Sequence, residues 1–447
     1  MSQHVVVIGG GSTGEHFVGA LRRLDADVRI TLVERRLVGG ECSYWACMPT
    51  KTMLRAPEAL SAARRTRGAV TAQDWGLDLD AVFDWRDANA SGRDDKGQLD
   101  FLKSQNADFL RGEAVVAAPG LVRVGDRKLK YDKLVIATGS ETAVPPVPGL
   151  AEVEYWTNHE ATETRHVPAS LVVLGGGPVG CEMAQFFARA SSSVTLVQRG
   201  ERLLPRIDAD AAELVAAALR KDGVRVLTET ELTRAEPGLR LHLSSGEILE
   251  PERILVATGR RPVVSGLGLE ELGLEIGRRG ISVDERMSAA DGVWAIGDVT
   301  GVALFTHVGK YQARIAAANI AGGSARADYR ALPATVFTDP QVASIGTTSG
   351  DGLISSRWEL SATPRAYTYE DPVEPGFVKV ALDPARRVPV GAVAVGPEAS
   401  DWLQQLALAI RAEIPLEVLL DVIPPYPTFS EAVFYALQGL EAQIAGG

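Results

Sequence analysis

The sequence predicts an α/β chain of two Rossmann-like dinucleotide-binding domains, the second inserted in the first, followed by a C-terminal α+β domain. Three observations lead there. Two stretches far apart share one layout: a β-branched run, a glycine cluster, a helical stretch and a second strand. A strand ending in Gly297-Asp298 returns after the second stretch, as though the first domain were interrupted and then completed. From about Ala331 the pattern changes to short alternating strands and two helices without a glycine cluster.

In chain order, Val5–Ile8 leads into Gly9-Gly10-Gly11-Ser12-Thr13-Gly14, a helix to about Leu24, and a strand Val28–Val33 ending at Glu34. In this G-x-G-x-x-G spacing Gly9 makes the turn, Gly11 lets a pyrophosphate approach the backbone, and Gly14 permits close helix packing. Ser12 and Thr13 open the helix whose N–H groups face the phosphates. Glu34 is placed to bind an adenosine ribose. The second unit repeats the scheme: Leu171–Leu174, then Gly175-Gly176-Gly177-Pro178-Val179-Gly180, a helix to about Ala190, and Val194–Val197 ending at Gln198-Arg199. One such motif is weak evidence, because tight strand-to-helix turns also need glycine. Two in register are strong. Each unit is later followed by a strand ending in the same tripeptide, Ala137-Thr138-Gly139 and Ala257-Thr258-Gly259. The expected boundaries are 1–147 and 266–330 for the first domain, 148–265 for the second and 331–447 for the last, where strands Phe377–Ala381 and Gly391–Val395 precede helices Trp402–Arg411 and Ser430–Leu440.

Bulk properties narrow the function. A chain of 447 residues with 46% hydrophobic types can bury several cores. Its formal charge of −11, with no block of basic residues, suggests neither a nucleic-acid footprint nor an anionic-membrane surface. Small-molecule partners are expected. No apolar run approaches the roughly 20 residues of a membrane span. The first residues, Met1-Ser2-Gln3-His4, run straight into a strand rather than a signal-peptide core. Three cysteines are not a secreted disulfide framework, so a cytoplasmic location is expected.

Cys42 and Cys47 are spaced C-x4-C at the start of a predicted helix after Gly39-Gly40. Thiols at a helix N-terminus have lowered pKa values, which suits disulfide exchange. Three readings stand: a redox pair, two inert buried cysteines, or two ligands of a metal site. No His or third Cys lies close in sequence to complete a zinc set, and no metal is expected. The flanking glycines and Pro49 favour the redox reading. Cys181, beside the second glycine turn, reads as a small packing residue.

With these residues in view, the sequence resembles the flavoprotein disulfide reductases, the group of dihydrolipoamide dehydrogenase, glutathione reductase and mercuric reductase. The resemblance spans essentially the whole chain. It rests on Gly9–Gly14, on Gly39-Gly40-Glu41-Cys42-Ser43-Tyr44-Trp45-Ala46-Cys47-Met48-Pro49-Thr50-Lys51, on both Ala-Thr-Gly tripeptides, on Gly175–Glu182, on Ala295-Ile296-Gly297-Asp298 and on Val336-Phe337-Thr338-Asp339-Pro340. It implies FAD on the first unit, NAD(P)H on the second, and a C-terminal dimerisation domain that builds a homodimer with a shared active site. Cys42 would be the exposed interchange thiol and Cys47 the one beneath the flavin. Lys51 would lie near flavin N5, paired with Glu182. FAD would be held by Gly9, Gly11, Ser12, Thr13, Gly14, Glu34, Glu41, Ala114, Thr138, Gly139 and Asp298, with the helix starting at Thr306 and His307 aimed at the flavin's N1–C2 edge. Gly175, Gly177, Val179, Gly180, Gln198, Arg199, Arg202 and Gly259 would hold the nicotinamide nucleotide. Where a carboxylate would select NADH, the chain has Gln198 followed by Arg199, with Arg202 and Arg206 nearby, which favours the 2′-phosphate of NADPH while leaving NADH possible. Pro178 stands where many relatives carry a gating tyrosine.

One departure matters. The family's His-Pro-Thr segment and following glutamate read here Tyr426-Pro427-Thr428 and Glu431. No histidine follows His307. A phenol with pKa near 10 can donate a proton but is a poor base at neutral pH. Mercuric reductases resemble this chain in having that tyrosine, but the vicinal cysteines of their C-terminus are replaced by Ala442-Gln443-Ile444-Ala445-Gly446-Gly447. Tyr426 is either an acid at the active site or a ring that packs at the dimer interface. Three functions follow: an NAD(P)H-dependent reductase of an unusual disulfide, or its reverse, a dithiol oxidase; a reductase of a quinone, metal ion or oxygen that needs no acid–base help; or, least favoured, a flavin-loaded redox sensor. Tyr44, Trp45, Trp85 and Ser91–Gln98 are candidates for the acceptor pocket, each equally a packing or surface residue.

Overall fold

A computed structural model describes residues 3–25, 27–66, 69, 76–368 and 376–446. Met1, Ser2 and Gly447, at the ends of the expected domains, lie outside them. The chain divides into two compact units: Met1–Thr50, Asp84–Ala143 and Gly259–Asp328 make the first, and Lys51–Phe83, Val144–Thr258 and Tyr329–Gly447 the second.

The first unit is built on a six-stranded sheet in the order Ser288–Ala290, Val293–Ala295, Lys133–Ile136, His4–Ile8, Arg29–Glu34, Asp108–Arg111. Its strands are parallel except at the Ser288–Ala290 edge. Val5, Val6 and Val7 are fully buried, as expected of a central parallel strand covered on both faces. The helix Ser12–Leu24 connects the first two strands of the motif and ends where the sequence placed it. Val293–Ala295, late in the chain, pairs in parallel with Lys133–Ile136. That pairing returns the segment after Gly259 to the first sheet.

In the second unit a parallel sheet runs Arg225–Leu227, Ser193–Val197, Ser170–Leu174, Arg253–Val256. The helix Pro178–Arg189 leaves its central strand with proline in the first turn, where no N–H is needed. A five-stranded antiparallel sheet from Pro333–Val336 to Val388–Gly396 follows, covered by helices Ala399–Arg411 and Ser430–Gly446. The buried positions of these two helices, among them Leu403, Leu406, Ile410, Val433, Leu437 and Leu440, share one core with Val378, Val380 and Ala392 of that sheet. The α/β class with a parallel core and a C-terminal α+β domain is thus observed. Among the described residues no helix is long and apolar enough to cross a membrane.

Candidate active site

The two glycine loops have the same geometry. Gly9 has φ +104, and a Cβ there would meet Ala137 O at 2.3 Å. A Cβ on Gly14 would meet Gly9 O at 2.0 Å, so helix and strand touch only because both residues lack side chains. At Gly11 nothing lies within 4 Å of that position. In the second loop Gly175 and Gly180 are closed against Ala257 O at 2.5 Å and Gly175 O at 1.9 Å, while Gly177 is open. Each loop therefore presents bare backbone at its middle glycine and the start of a helix behind it, which fits a pyrophosphate. Glu34 accepts from Gly10 N at 2.7 Å and from Arg36 N at 2.7 Å. Gln198 takes the equivalent place, its Oε1 accepting from Gly176 N at 3.0 Å. Ser12 opens the first helix, and Val179 stands half exposed near the start of the second.

Around the first loop the structure gathers residues distant in sequence. Thr13 packs between Gly297 and Gly309, where an added Cβ would lie 3.0 and 2.1 Å from its Oγ1. Asp298 accepts from Ser140 Oγ at 2.6 Å. Arg260 donates to Ser140 Oγ at 2.7 Å and to Ser140 O at 2.7 Å, and lies 3.4 Å from Glu41. Burial pushes the Asp298 carboxyl up, opposed by the Ser140 hydroxyl and the Arg260 charge, while Glu41 adds to the rise. Ser140 and Arg260 were not singled out from sequence. Their signal was position, each directly following an Ala-Thr-Gly tripeptide, and their strands Ser140–Thr142 and Arg260–Pro262 pair antiparallel. Gly259, expected at the nicotinamide site, accepts from Ala143 N at 2.9 Å within this first unit. Thr138 donates to Val263 O at 2.7 Å, Gly139 O accepts from Val263 N at 3.0 Å, and Ala114 begins a buried strand of the same core.

The cysteines do not share one helix. Cys42 lies in the short helix Gly40–Tyr44, and Cys47 is the first residue of the helix Cys47–Arg64. The break falls at Trp45, whose N–H closes the short helix on Glu41 O with φ −137. Gly39 at φ +106 and Gly40 at φ +61 launch the segment, and a Cβ on Gly40 would meet Gly11 Cα at 2.8 Å. Neither sulfur is in a disulfide, and both residues are half-buried. Thr306 Oγ1 lies 3.3 Å from Cys47 Sγ, a hydroxyl–thiol hydrogen bond. The expected lowering is not found at Cys42: its thiol is held well above the ordinary range by the hydrogen bond with Cys47, by burial and by the Cys47 charge, against weaker opposing effects of Thr306 and Lys310. Cys42 sits inside its helix rather than ahead of it, so its neighbour's sulfur outweighs the helix end. Thr306 opens the helix Thr306–Ile320, and His307, exposed, stacks on Phe305 with ring centroids 5.2 Å apart.

Tyr44 is 1% exposed, so it is not a pocket wall. Its hydroxyl lies 2.9 Å from Val38 O, while buried Asp95 accepts from Val38 N at 2.9 Å and from Arg111 at 2.5 Å. The peptide just before the cysteine segment is thus clamped on both sides. Trp85 is exposed, at 52%.

In the second unit Lys51 Nζ donates to Glu182 at 2.7 Å and lies 4.8 Å from the Phe337 ring centroid. Glu182 also accepts from Phe337 N at 2.9 Å. One turn on, Gln185 accepts from Asp339 N at 2.8 Å, and Arg189 donates to the Asp339 carboxylate at 2.9 Å. The Val336–Pro340 motif is therefore docked by one face of the Pro178–Arg189 helix. Arg199 is 83% exposed in its side chain, whereas Arg202 spends its guanidinium on the carbonyls of Ile207 at 2.8 Å and Pro205 at 3.0 Å. Cys181 is fully buried. Tyr426 is 75% exposed, and buried Glu431 accepts from Thr428 N at 3.1 Å.

Residues 3–325 match the pyridine nucleotide-disulphide oxidoreductase family and residues 332–437 its dimerisation domain. The chain belongs to this family. It is 34% identical over 454 residues to the mercuric reductase of Acidithiobacillus ferrooxidans, covering 97% of this chain and 82% of that one. It is 33% identical over 457 residues to the dihydrolipoyl dehydrogenase of Thermus scotoductus, covering 98% and 97%. Among solved structures, the Cu(II) complex of RclA, an HOCl-induced flavoprotein disulfide reductase of Escherichia coli, superposes with a TM-score of 0.84 at 26% identity, covering 97% and 99%. LpdA of Mycobacterium tuberculosis, at a TM-score of 0.87 and 24% identity over 98% and 99%, shares the fold. The protein is accordingly a pyridine nucleotide-disulfide oxidoreductase of the FAD-dependent, NAD(P)H-using kind, and its dimerisation domain supports a homodimer.

Proposed function

We propose that this oxidoreductase uses NADPH to reduce the Cys42–Cys47 disulfide, and that the resulting dithiol reduces a small disulfide or a thiolate-bound metal ion. The observation that carries the reading is the pair of half-buried thiols, Cys47 held by Thr306 at 3.3 Å and itself raising the pKa of the neighbouring Cys42. Electrons and protons balance: NADPH gives a hydride and water a proton, so that the protein disulfide becomes two thiols; these re-form the disulfide as an acceptor R–S–S–R takes their two electrons and two protons to become two R–SH, or as a divalent ion takes the two electrons and the protons pass to water. FAD would be held at the first glycine loop by residues that include Glu34, Glu41 and Asp298, and would supply the two-electron couple between nicotinamide and cysteines. Thr306 holds the Cys47 sulfur, and Glu182 holds Lys51 in place. Tyr426 and Glu431, supplied by the partner subunit of a homodimer, complete the site at Cys42. The phenol donates a proton but accepts one poorly at neutral pH. Loss of a positioned imidazole costs about 10²–10⁴-fold in ordinary thiol exchange. Acceptors with good thiolate leaving groups, and metal ions, avoid that cost. The mercuric reductases among the relatives and the copper complex of RclA favour the metal arm. Cytoplasmic reducing conditions suit the cycle.

NADPH rather than NADH is the donor we infer, because Gln198 replaces a ribose-binding carboxylate and Arg199, 83% exposed and held only at 3.9 Å by exposed Glu231, can turn to a phosphate. Its test is the ratio of kcat/KM for the two nucleotides, which Arg199→Ala should lower by raising KM for NADPH alone. For the acceptor, NADPH oxidation is followed against lipoamide, glutathione disulfide, menadione, Hg²⁺ and O₂. Cys42→Ser should abolish turnover of disulfides and Hg²⁺ while most menadione reduction survives. Full turnover of the best disulfide or metal acceptor by that variant would sink the proposal.

A further inference from the structure

The peptide before the cysteine segment is held from both sides by side chains that have no part in the chemistry above. Val38 is fully buried, and each of its polar backbone groups is taken up by a side chain. Its N–H donates to Asp95 Oδ2 at 2.9 Å, and its carbonyl accepts from the Tyr44 hydroxyl at 2.9 Å. Both anchors are themselves fixed. Buried Asp95 receives Arg111 on the same oxygen at 2.5 Å, and the Arg111 guanidinium lies 4.7 Å from the Phe109 ring centroid. Buried Tyr44 has Gln98 Oε1 3.0 Å from its hydroxyl, and its ring stands edge-on to Trp45 with centroids 5.6 Å apart. Burial first, and then the charge of Asp95, push the Tyr44 phenol up to about 12, so it keeps the proton it donates at any working pH. The next residue continues the attachment: Gly39 N donates to Gly10 O at 2.8 Å, and Gly39 pairs with Gly11 in an isolated parallel bridge.

The bond from Tyr44 to Val38 spans six residues, and Cys42 lies inside the loop that it closes. Cys47 lies outside that loop, at the start of its own helix. We propose that Tyr44 and Asp95 are positioning residues of the cysteine relay, which hold the Cys42 limb against the first glycine loop and so favour the disulfide form of Cys42 and Cys47. The physical reason is entropic. A disulfide confines its two Cα atoms to a narrow range, about 4.4–6.8 Å apart. A limb already immobile in the dithiol has little freedom left to lose when the bond forms, whereas a loose limb must give it up. Neither Tyr44 nor Asp95 is among the groups that shift the Cys42 thiol, so they act on where the sulfur is and not on its ionisation. The inference rests on the reading of Cys42 and Cys47 as a redox pair.

The test is the potential of the pair. Holoenzyme is equilibrated without oxygen in dithiothreitol of set oxidised-to-reduced ratio, whose two thiols close to a cyclic disulfide as the protein disulfide takes up their two electrons and two protons. Acid quenching, alkylation and mass spectrometry of the Cys42–Cys47 peptide give the fraction oxidised. Tyr44→Phe keeps the ring and removes the hydroxyl. Loss of one such bond should lower the equilibrium constant for disulfide formation about fivefold. That makes the potential about 20 mV less negative, at about 30 mV per tenfold. Asp95→Asn keeps an acceptor for Val38 N but breaks the pairing with Arg111, and should move the potential in the same direction. The pH at which iodoacetamide alkylation of Cys42 inflects should stay at its wild-type value in both. Val135→Ala opens a cavity at a fully buried position of the first sheet without touching the clamp, and should lower stability with no change in potential. A potential equal to wild type in both clamp variants, or one that becomes more negative, overturns the positioning role, as does an equal shift in Val135→Ala. If ferricyanide-oxidised wild-type holoenzyme holds no Cys42–Cys47 disulfide, the redox reading itself fails. If the disulfide forms but the clamp variants match wild type, only this inference fails.

Discussion

Glu182 is 3% exposed, yet it is an ionisable group in a helix, so its partners decide whether the fold tolerates it. Lys51 at 2.7 Å and Phe337 N at 2.9 Å occupy its two oxygens. Removing one partner of a buried pair leaves the other charge uncompensated, at a cost of about 3–5 kcal/mol when both are deep. Lys51 is 36% exposed in its side chain, so water can relieve part of that and about 2 kcal/mol is expected for Lys51→Met. Adding Glu182→Gln, which keeps an acceptor for Phe337 N, should recover stability in the double variant; urea unfolding would show it. Cys42 presents the opposite case, a group whose neighbour suppresses ionisation. With its pKa raised mainly by Cys47, the thiolate fraction at neutral pH is small, and the rate of iodoacetamide alkylation in the reduced protein should still be climbing at pH 9. In Cys47→Ala the largest cause of the rise is gone while Thr306 and Lys310 continue to act downward, so the inflection should move to lower pH. An inflection that stays put would show that burial, not the neighbouring sulfur, sets the reactivity.

Each glycine loop is an element in which three chemically identical residues do different work. A Cβ on Gly180 would sit 1.9 Å from Gly175 O, so Gly180→Ala must push the helix off its strand, which costs about 1–3 kcal/mol. Gly177→Ala meets nothing within 4 Å. It should therefore leave thermal unfolding unchanged while raising KM for the nicotinamide nucleotide about tenfold, the result of one misplaced phosphate contact. Equal loss of stability in the two variants would contradict the division of roles. These loops were legible because their information is local: the spacing sets the turn, and the β-branched runs on either side set the strands. The Ser12–Leu24 helix and the Ser193–Val197 strand accordingly fall within a residue or two of where periodicity placed them. The cysteine segment was less legible, because nothing in its spacing marks the break at Trp45 that places the two sulfurs on different helices. Contacts such as Thr306 with Cys47, or Ser140 with Arg260 and Asp298, join positions more than a hundred residues apart, and no period or motif connects them.

At the scale of the whole molecule, the C-terminal domain raises the question of what its outer face meets. Val418, Val422, Ile423 and Tyr426 are 51%, 55%, 91% and 75% exposed, a cluster of apolar side chains within nine residues that a lone subunit has little reason to display. A two-fold dimer buries the same patch on both copies. If Tyr426 then serves the cysteines of the other copy, the two halves of one active site come from different chains, and this makes a prediction that a single-chain site would not. Cys42→Ser and Tyr426→Ala proteins, each slow on its own, should regain activity when denatured, mixed in equal amounts and refolded. Random pairing makes half the dimers mixed, and each mixed dimer holds one site with an intact Cys42 and a partner's intact Tyr426, so about a quarter of wild-type turnover is expected. Were both groups drawn from one chain, no mixed dimer would contain a complete site, and the mixture would show only the mean of its parents. Should Tyr426→Ala homodimers already turn over the acceptor at the wild-type rate, the ring only packs at the interface, and proton delivery to the acceptor must come from Glu431 or from solvent.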